Sequence, residues 1–285
     1  MKTGFNLLLW TIHVTSEHFH LFDALKKAGY DGVEIPLFEG TPEHFRTVGE
    51  AIRNAGLACT SVTVLPDEAH SAISHDPASR KGALDHVTWA IECSEAMGCE
   101  LLAGPFHQPL AVFSGDGPTE DELLYGIEVH QKAADRAAQS NLILALEPLN
   151  RFECYVLNTM EATRNYVQRV NRPNFGALYD TFHANIEEKD PIGCIGETID
   201  VIKHVHISEN DRGTPGNGHI DFAATMKALR ENGYDGWLTI EAFGKSLPAL
   251  AAATKVWRNF FDSEEEVYTV GLKTMQDAWR PRAAR

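Results

Sequence analysis

The chain lacks most of the features that would place it in a simple class. Of its 285 residues only five are cysteine (Cys59, Cys93, Cys99, Cys154 and Cys194), scattered, odd in number and without a CxxC pair. That argues against a thiolate zinc site or a secreted disulfide framework and fits reduced thiols in a cytoplasmic protein. No apolar run approaches the ~20 residues that span a bilayer. The stretch 5–10 ends within one strand length and is followed by His13, Glu17 and His18, so neither membrane association nor a signal peptide is expected. Basic residues are outnumbered, 25 against 40 acidic, and a net charge of −15 repels phosphate backbones, which argues against nucleic-acid binding. No GxGxxG or GxxxxGKS loop follows the first apolar run, which continues into Trp10-Thr-Ile-His-Val14. A nucleotide-binding open sheet is therefore disfavoured.

What the sequence does contain is alternation. Short apolar runs at 4–10, 32–36, 58–64, 100–104, 142–147, 175–180, 204–207 and 237–241 are separated by longer amphipathic stretches. This is the βαβ signature of a parallel sheet, and eight units within a length near the ~250 residues of a (β/α)8 barrel predict a closed TIM barrel. Helix punctuation agrees. Thr41 before Pro42 reads as an N-cap, Thr119 with Glu122 as a capping box, Asp221 as a cap, and Gly233 as a left-handed helix stop. Ala28-Gly-Tyr-Asp-Gly-Val-Glu-Ile35 and Asn232-Gly-Tyr-Asp-Gly-Trp-Leu-Thr-Ile-Glu241 repeat one pattern in the second and eighth units. With no linker or second core, residues 1–285 read as one domain whose tail from about 257 is helical and packs on the barrel or on a partner subunit.

The last four strand-like runs end in Glu147, Asp180, His206 and Glu241, spaced 33, 26 and 35 residues apart, about one α/β unit each. In a TIM barrel the C-terminal strand ends converge on one mouth. Any single acid there could be a helix cap or a salt-bridge partner. Three carboxylates and an imidazole in register, however, require a cation or protons to neutralise them. Oxygen-rich ligands with one imidazole and no thiolate suit a divalent Mn²⁺, Mg²⁺ or Co²⁺ ion, Mn²⁺ first, before structural zinc.

Three longer motifs identify a resemblance. Leu146-Glu-Pro-Leu-Asn-Arg-Phe-Glu153, Tyr179-Asp-Thr-Phe-His-Ala-Asn-Ile-Glu-Glu188 and His204-Val-His-Ile-Ser-Glu-Asn-Asp-Arg212 resemble the ketose 3-epimerases of the xylose isomerase-like barrels. The likeness extends through Gly216-Asn-Gly-His-Ile-Asp-Phe222 to Ala253-Thr-Lys-Val-Trp-Arg258 and is weak before residue 100. It implies metal ligands at Glu147, Asp180, His206 and Glu241, the set already reached from the strand ends. It further implies substrate contacts at Glu153, His183 and Arg212. Glu153 and Arg212 have the alternative of a rim salt bridge, and His183 that of a partner fixing Asp180.

The chemistry implied is inversion at C3 of a free ketose. A proton next to a ketone is removable near neutral pH only if the resulting cis-enediolate is stabilised, which a divalent cation does as a Lewis acid. Glu147 and Glu241 then serve as bases on opposite faces. His183 and Arg212 polarise the C2 oxygen, and Glu153 orients Glu147 or binds a hydroxyl. The chain departs from the group at Asn6-Leu-Leu-Leu-Trp10, where aromatics commonly meet the far end of the sugar, and at Pro105-Phe-His-Gln-Pro109, where His107 is either a pocket contact or a surface-loop residue. An aldose–ketose isomerase of the hydroxypyruvate-isomerase type is the alternative reading, and an inosose-type dehydratase, an endonuclease-like enzyme and a sugar-binding barrel are weaker ones. Barrels of this kind pair through surface helices, so a homodimer or homotetramer is expected.

Overall fold

In the computed structural model, which describes residues 1–280, eight parallel strands close into a barrel in the order β1 to β8. They are β1 (Lys2–Asn6), β2 (Gly32–Pro36), β3 (Ala58–Val62), β4 (Leu101–Gly104), β5 (Ile143–Leu146), β6 (Phe175–Asp180), β7 (Ile202–Ile207) and β8 (Trp237–Ile240). The surrounding helices begin with α1 (Phe19–Ala28), α2 (Pro42–Asn54), α3 (Pro77–Met97), α4 (Glu120–Ala137) and α5 (Met160–Val170). They continue with α6 (Thr181–Glu187), α7 (Gly193–Thr198), α8 (Phe222–Glu231), α9 (Pro248–Thr254) and α10 (Glu264–Trp279). Every residue of β2 and β6 is buried, as expected for strands covered by helices on one face and the barrel interior on the other.

The helix ends are made as the sequence predicts. Thr41 accepts from the His44 amide, Thr119 and Glu122 cap reciprocally, Asp221 accepts from the Ala224 amide, and Gly29 and Gly233 close α1 and α8 at φ 110° and 79°. Two expected elements differ. The first strand stops at Asn6 rather than Trp10, because the Asn6 side chain accepts from the Leu8 amide and turns Leu7–Leu9 into a 3-10 helix. The expected helical tail from about 257 begins only at Glu264, where Ser263 caps α10, and its residues 281–285 lie outside the described residues. Helix α10 packs on α8 and α1. Among the described residues no helix is long and apolar enough to cross a membrane.

Register places the polar side chains that matter. Asn6 pairs with Glu34 and Glu34 with Thr60 across β1, β2 and β3, while Asp180 pairs with His206 and His206 with Thr239 across β6, β7 and β8. Below them the Trp237 indole lies against Gly32, where an added Cβ would come within 2.5 Å of the ring and 2.5 Å of the Ala58 carbonyl. Gly32→Ala should therefore cost about 1–3 kcal/mol by overpacking and lower Tm by several degrees. Gly117→Ala, with nothing within 4 Å of the new methyl, should leave Tm unchanged in the same calorimetric scan, and equal Tm values for the two variants would contradict the packing argument.

Candidate metal centre and active site

Glu147 and Glu241 are the first residues after β5 and β8, Asp180 ends β6, and His206 lies within β7. All four are at most 7% exposed, and one ligand atom from each lies within 4.8 Å of the others. His206 Nδ1 is the centre of the group, 3.6 Å from Glu241 Oε1, 3.7 Å from Asp180 Oδ2 and 4.0 Å from Glu147 Oε1. It has no hydrogen-bond partner. Burial would lower the His206 pKa, but the Glu34, Glu241 and Asp180 carboxylates hold it well above the usual imidazole value. A buried, unpartnered ring nitrogen facing three carboxylates is the donor set of a divalent cation that displaces its proton, so the residues fit the group that the sequence implies.

The electrostatics agree. Burial, with the Glu241 and Asp180 carboxylates adding to it against the pull of His206, raises Glu147 well above the usual carboxylate range. Burial and the same crowding push Glu241 up to about 7. Asp180 is different. Burial works against its charge, but the proximity of His206, together with His183 and Arg212, brings its carboxyl to about 2. It also caps α6 by accepting from the Phe182 and His183 amides at 2.5 and 3.2 Å, and it accepts from Ser208 Oγ at 3.0 Å.

The other sequence-predicted residues fall beside this centre. His183 Nδ1 accepts from the Asn150 backbone amide at 2.9 Å, which leaves the ring proton on Nε2, 3.7 Å from Glu147 Oε1. Burial holds the ring neutral by lowering its pKa to about 4. The imidazole is thus fixed and neutral, with its Nε2 3.3 Å from Arg212 Nη2. It does not fix Asp180, since only the His183 backbone amide reaches that carboxylate.

Arg212 donates from Nη1 and Nη2 to the two oxygens of Glu153 at 3.0 and 3.3 Å, and from Nη1 to the Thr254 carbonyl at 3.3 Å. Its guanidinium stacks over Phe182 and Phe243, with centroid distances of 4.1 and 5.1 Å. The ion pair expected as a rim alternative does form, but with Arg212 buried it lies in the site rather than on an exposed rim. Burial would raise Glu153, and Arg212 and His183 override it to keep the carboxyl ionised. Glu153 therefore orients Arg212, and no hydrogen bond joins it to Glu147. His107 is fully buried with both ring nitrogens unpartnered, which overturns its reading as a surface-loop residue. Burial, aided by His130, lowers its pKa to about 3, so it is neutral.

Two buried residues near the centre, Glu34 and Asn6, take parts that the sequence did not assign them. Glu34 accepts from His206 Nε2 and His204 Nε2, each at 2.7 Å, and from Thr60 Oγ1 at 2.9 Å. Asn6, placed by the resemblance at the sugar's far end, instead donates to Glu34 Oε1 at 3.0 Å and Glu241 Oε1 at 3.1 Å. A glutamate inside the otherwise apolar run Gly-Val-Glu-Ile-Pro was the available signal for Glu34. A cavity of about 450 Å³ opens between the loops after β3 and β4, lined by His75, Gln108, Phe113 and Tyr155 among others, but none of the cluster residues lines it. Unpartnered and perturbed acidic groups and an imidazole converge on the cluster and not on that cavity.

Comparison with known proteins supports this geometry. The Xylose isomerase-like TIM barrel family matches residues 22–265. The chain is 33% identical over 270 residues to the ketose 3-epimerase of Arthrobacter globiformis, covering 94% of this chain and 93% of that protein. It is 34% identical over 227 residues to the 3-dehydro-D-guloside 4-epimerase of Escherichia coli K12, covering 77% and 85%. The crystal structure of a Methylomonas D-allulose 3-epimerase in complex with D-allulose superposes with a TM-score of 0.91 at 26% identity, covering 98% and 97% of the two chains. The chain belongs to the xylose isomerase-like TIM-barrel family and, within it, to the ketose 3-epimerase group.

Proposed function

We propose that this protein is a metal-dependent ketose 3-epimerase that inverts C3 of a free ketose through a cis-enediolate. The observation that carries the reading is the convergence of Glu147, Asp180, His206 and Glu241 on the unpartnered His206 Nδ1, in a chain of the ketose 3-epimerase group. A divalent cation held by those four residues, Mn²⁺ in the first place and Mg²⁺ or Co²⁺ as alternatives, supplies Lewis-acid stabilisation of the enediolate charge. Glu147 and Glu241 leave strands on either side of the cluster and act as the two proton carriers. Their raised proton affinities suit groups that must accept and return a proton near neutral pH. The His183 Nε2–H donates to the substrate's C2 oxygen without delivering a full charge, and Arg212, aimed by Glu153, offsets the negative charge that develops. Asp180, its carboxyl engaged by three donors, anchors rather than shuttles. His107, buried with two unused ring nitrogens, contacts a sugar hydroxyl.

D-tagatose, D-psicose, D-fructose and L-ribulose are the ketoses to try first. The enzyme works in the cytoplasm as a homodimer or dimer of dimers, which light scattering would size directly. Turnover in D2O should label the product at C3 and leave C1 without deuterium. Label at C1 in an aldose–ketose mixture would favour the isomerase of the hydroxypyruvate type, and label at C4 a reaction like that of the E. coli relative. Glu147→Gln and Glu241→Gln should each lower kcat by roughly 10²–10⁴-fold with the fold intact. Arg212→Ala should act less on kcat and more on KM. Near-wild-type turnover by Glu241→Gln would overturn the two-base assignment.

Ion binding carries its own signature. With no cation to neutralise it, the cluster holds protons on Glu147, Glu241 and His206, and these leave when the ion arrives. Apparent Mn²⁺ affinity should therefore fall as pH drops below the Glu241 value of about 7, by roughly tenfold per unit for each proton released. Calorimetric titration in two buffers of different ionisation enthalpy measures that release. Exhaustive chelation should abolish activity and lower Tm, since at a hundredfold excess over Kd a bound ion contributes about 2.7 kcal/mol. Full activity in protein shown by elemental analysis to be metal-free would rule the site out.

A further inference from the structure

We infer that Glu34 is the positioning residue of the metal centre, holding His206 as the tautomer whose Nδ1 faces the carboxylates, and that Asn6 extends the same anchor to Glu241. The inference rests on the metal-site reading above and assigns roles to two residues outside the ligand set. The argument is one of donor and acceptor counting. An ionised carboxylate only accepts, at about four lone-pair positions. Glu34 Oε1 accepts from His206 Nε2 at 2.7 Å and Asn6 Nδ2 at 3.0 Å, and Oε2 accepts from His204 Nε2 at 2.7 Å and Thr60 Oγ1 at 2.9 Å. All four positions are used. Each imidazole must therefore carry a proton on Nε2, so that neutral His206 can present a lone pair to a cation only from Nδ1, the nitrogen that faces Glu147, Asp180 and Glu241.

The Asn6 amide is held in one orientation as well. Its Oδ1 accepts from the Leu8 backbone amide at 2.8 Å, so its Nδ2 must be the end facing the carboxylates, with one hydrogen on Glu34 and one on Glu241 Oε1 at 3.1 Å. A single amide thus links a ligand carried by β8 to the hub on β2. Because Asn6 is fully occupied in this way, it is not free to contact a sugar.

Glu34, His204 and His206 also lie close enough together to suggest a second cation site. The hydrogen bonds exclude that use. A cation would have to displace both Nε2 protons and the Asn6 and Thr60 donors from a group with no solvent exposure at Glu34, His204 or His206.

The test measures ion binding without sugar. In chelated, refilled protein, Glu34→Gln should weaken Mn²⁺ binding by roughly 10–100-fold, read from the electron paramagnetic resonance signal of free Mn²⁺. The amide brings two hydrogens where the site supplies only donors, so one histidine must give up its Nε2–H arrangement. Asn6→Ala leaves the Glu34–His206 bond in place. It should change Mn²⁺ affinity only a few-fold while lowering kcat with little change in KM. Should Glu34→Gln fail to fold, ¹⁵N-histidine spectra of Mg²⁺-loaded wild-type protein decide the matter, since both rings must be protonated at Nε2. A ring of His204 or His206 protonated at Nδ1, or a folded Glu34→Gln protein with wild-type Mn²⁺ affinity, would overturn the role of Glu34 and leave the epimerase reading intact. Normal ion binding with no turnover of any ketose would overturn only the latter.

Discussion

Three carboxylates buried around one imidazole repel each other in a medium that screens poorly, and the upper part of the barrel is arranged to contain that repulsion. The solution is not a set of compensating cations from the protein, for among the described residues Arg212 is the buried guanidinium of the site and it is paired with Glu153. The repulsion instead raises the proton affinity of Glu147, Glu241 and His206, and geometry holds the groups in place. Asp180 is fixed by two backbone amides and Ser208. Glu241 is tied to Asn6, and His206 to Glu34. Protons or a cation complete the neutralisation. Each anchor comes from a different strand or strand end, which is why a closed barrel suits this chemistry: its mouth gathers short polar side chains from all round the ring onto a rigid frame.

How much of this could be read from sequence follows from which signals are local. Eight apolar runs, the Thr41 and Thr119 caps and the Gly233 stop are local patterns, and the structure forms them. The four strand-end residues were legible because one rule, convergence of C-terminal ends, turns linear spacing into proximity. Glu34 escaped that rule. It sits within β2 rather than past its end, and its partners lie 170 and 172 residues away, a pairing that only barrel closure and register create. Asn6 was read as a departure at the sugar's far end, whereas its amide both ends β1 and reaches β8. The first strand was read too long for the same reason, since apolar Leu7, Leu8 and Leu9 carry no sign of a cap made by the residue before them. His107 shows the opposite case, a loop position whose burial depends on packing that no local pattern encodes.

The loop after β7 shows how strain is accommodated to aim one side chain. Arg212 adopts φ 63°, the left-handed region that a non-glycine residue enters at a cost. Glu209 holds the loop there. Its carboxylate accepts from the amides of Asn210, Gly216 and Ile220, and its carbonyl accepts from the Arg212 amide at 2.9 Å. Phe182 and Phe243 then sandwich the guanidinium, and the Phe243 amide donates to the Arg212 carbonyl. The motif from His204 to Arg212 is therefore one device: a ligand in the strand, a buried glutamate that folds the loop, and an arginine placed by that fold.

Specificity in such a site is separable from the ion. The relatives span 3-epimerases and a 4-epimerase at nearly equal identity, 33% and 34%, so overall identity does not determine which carbon loses its proton. On the proposed two-base mechanism the choice lies in how the chain of hydroxyls is laid across Glu147 and Glu241. A small apolar cluster of Leu8, Val62, Phe243, Ala251 and Val256 gathers side chains from beyond β1 and β8, from the end of β3, and from α9 and the segment after it. The C-terminal carbonyl of α9 at Thr254 is bonded directly to Arg212. Arg212, assigned the developing charge in the proposed mechanism, is thus fastened both to α9 and, through Phe243, to that apolar cluster, so repacking the cluster should shift the guanidinium.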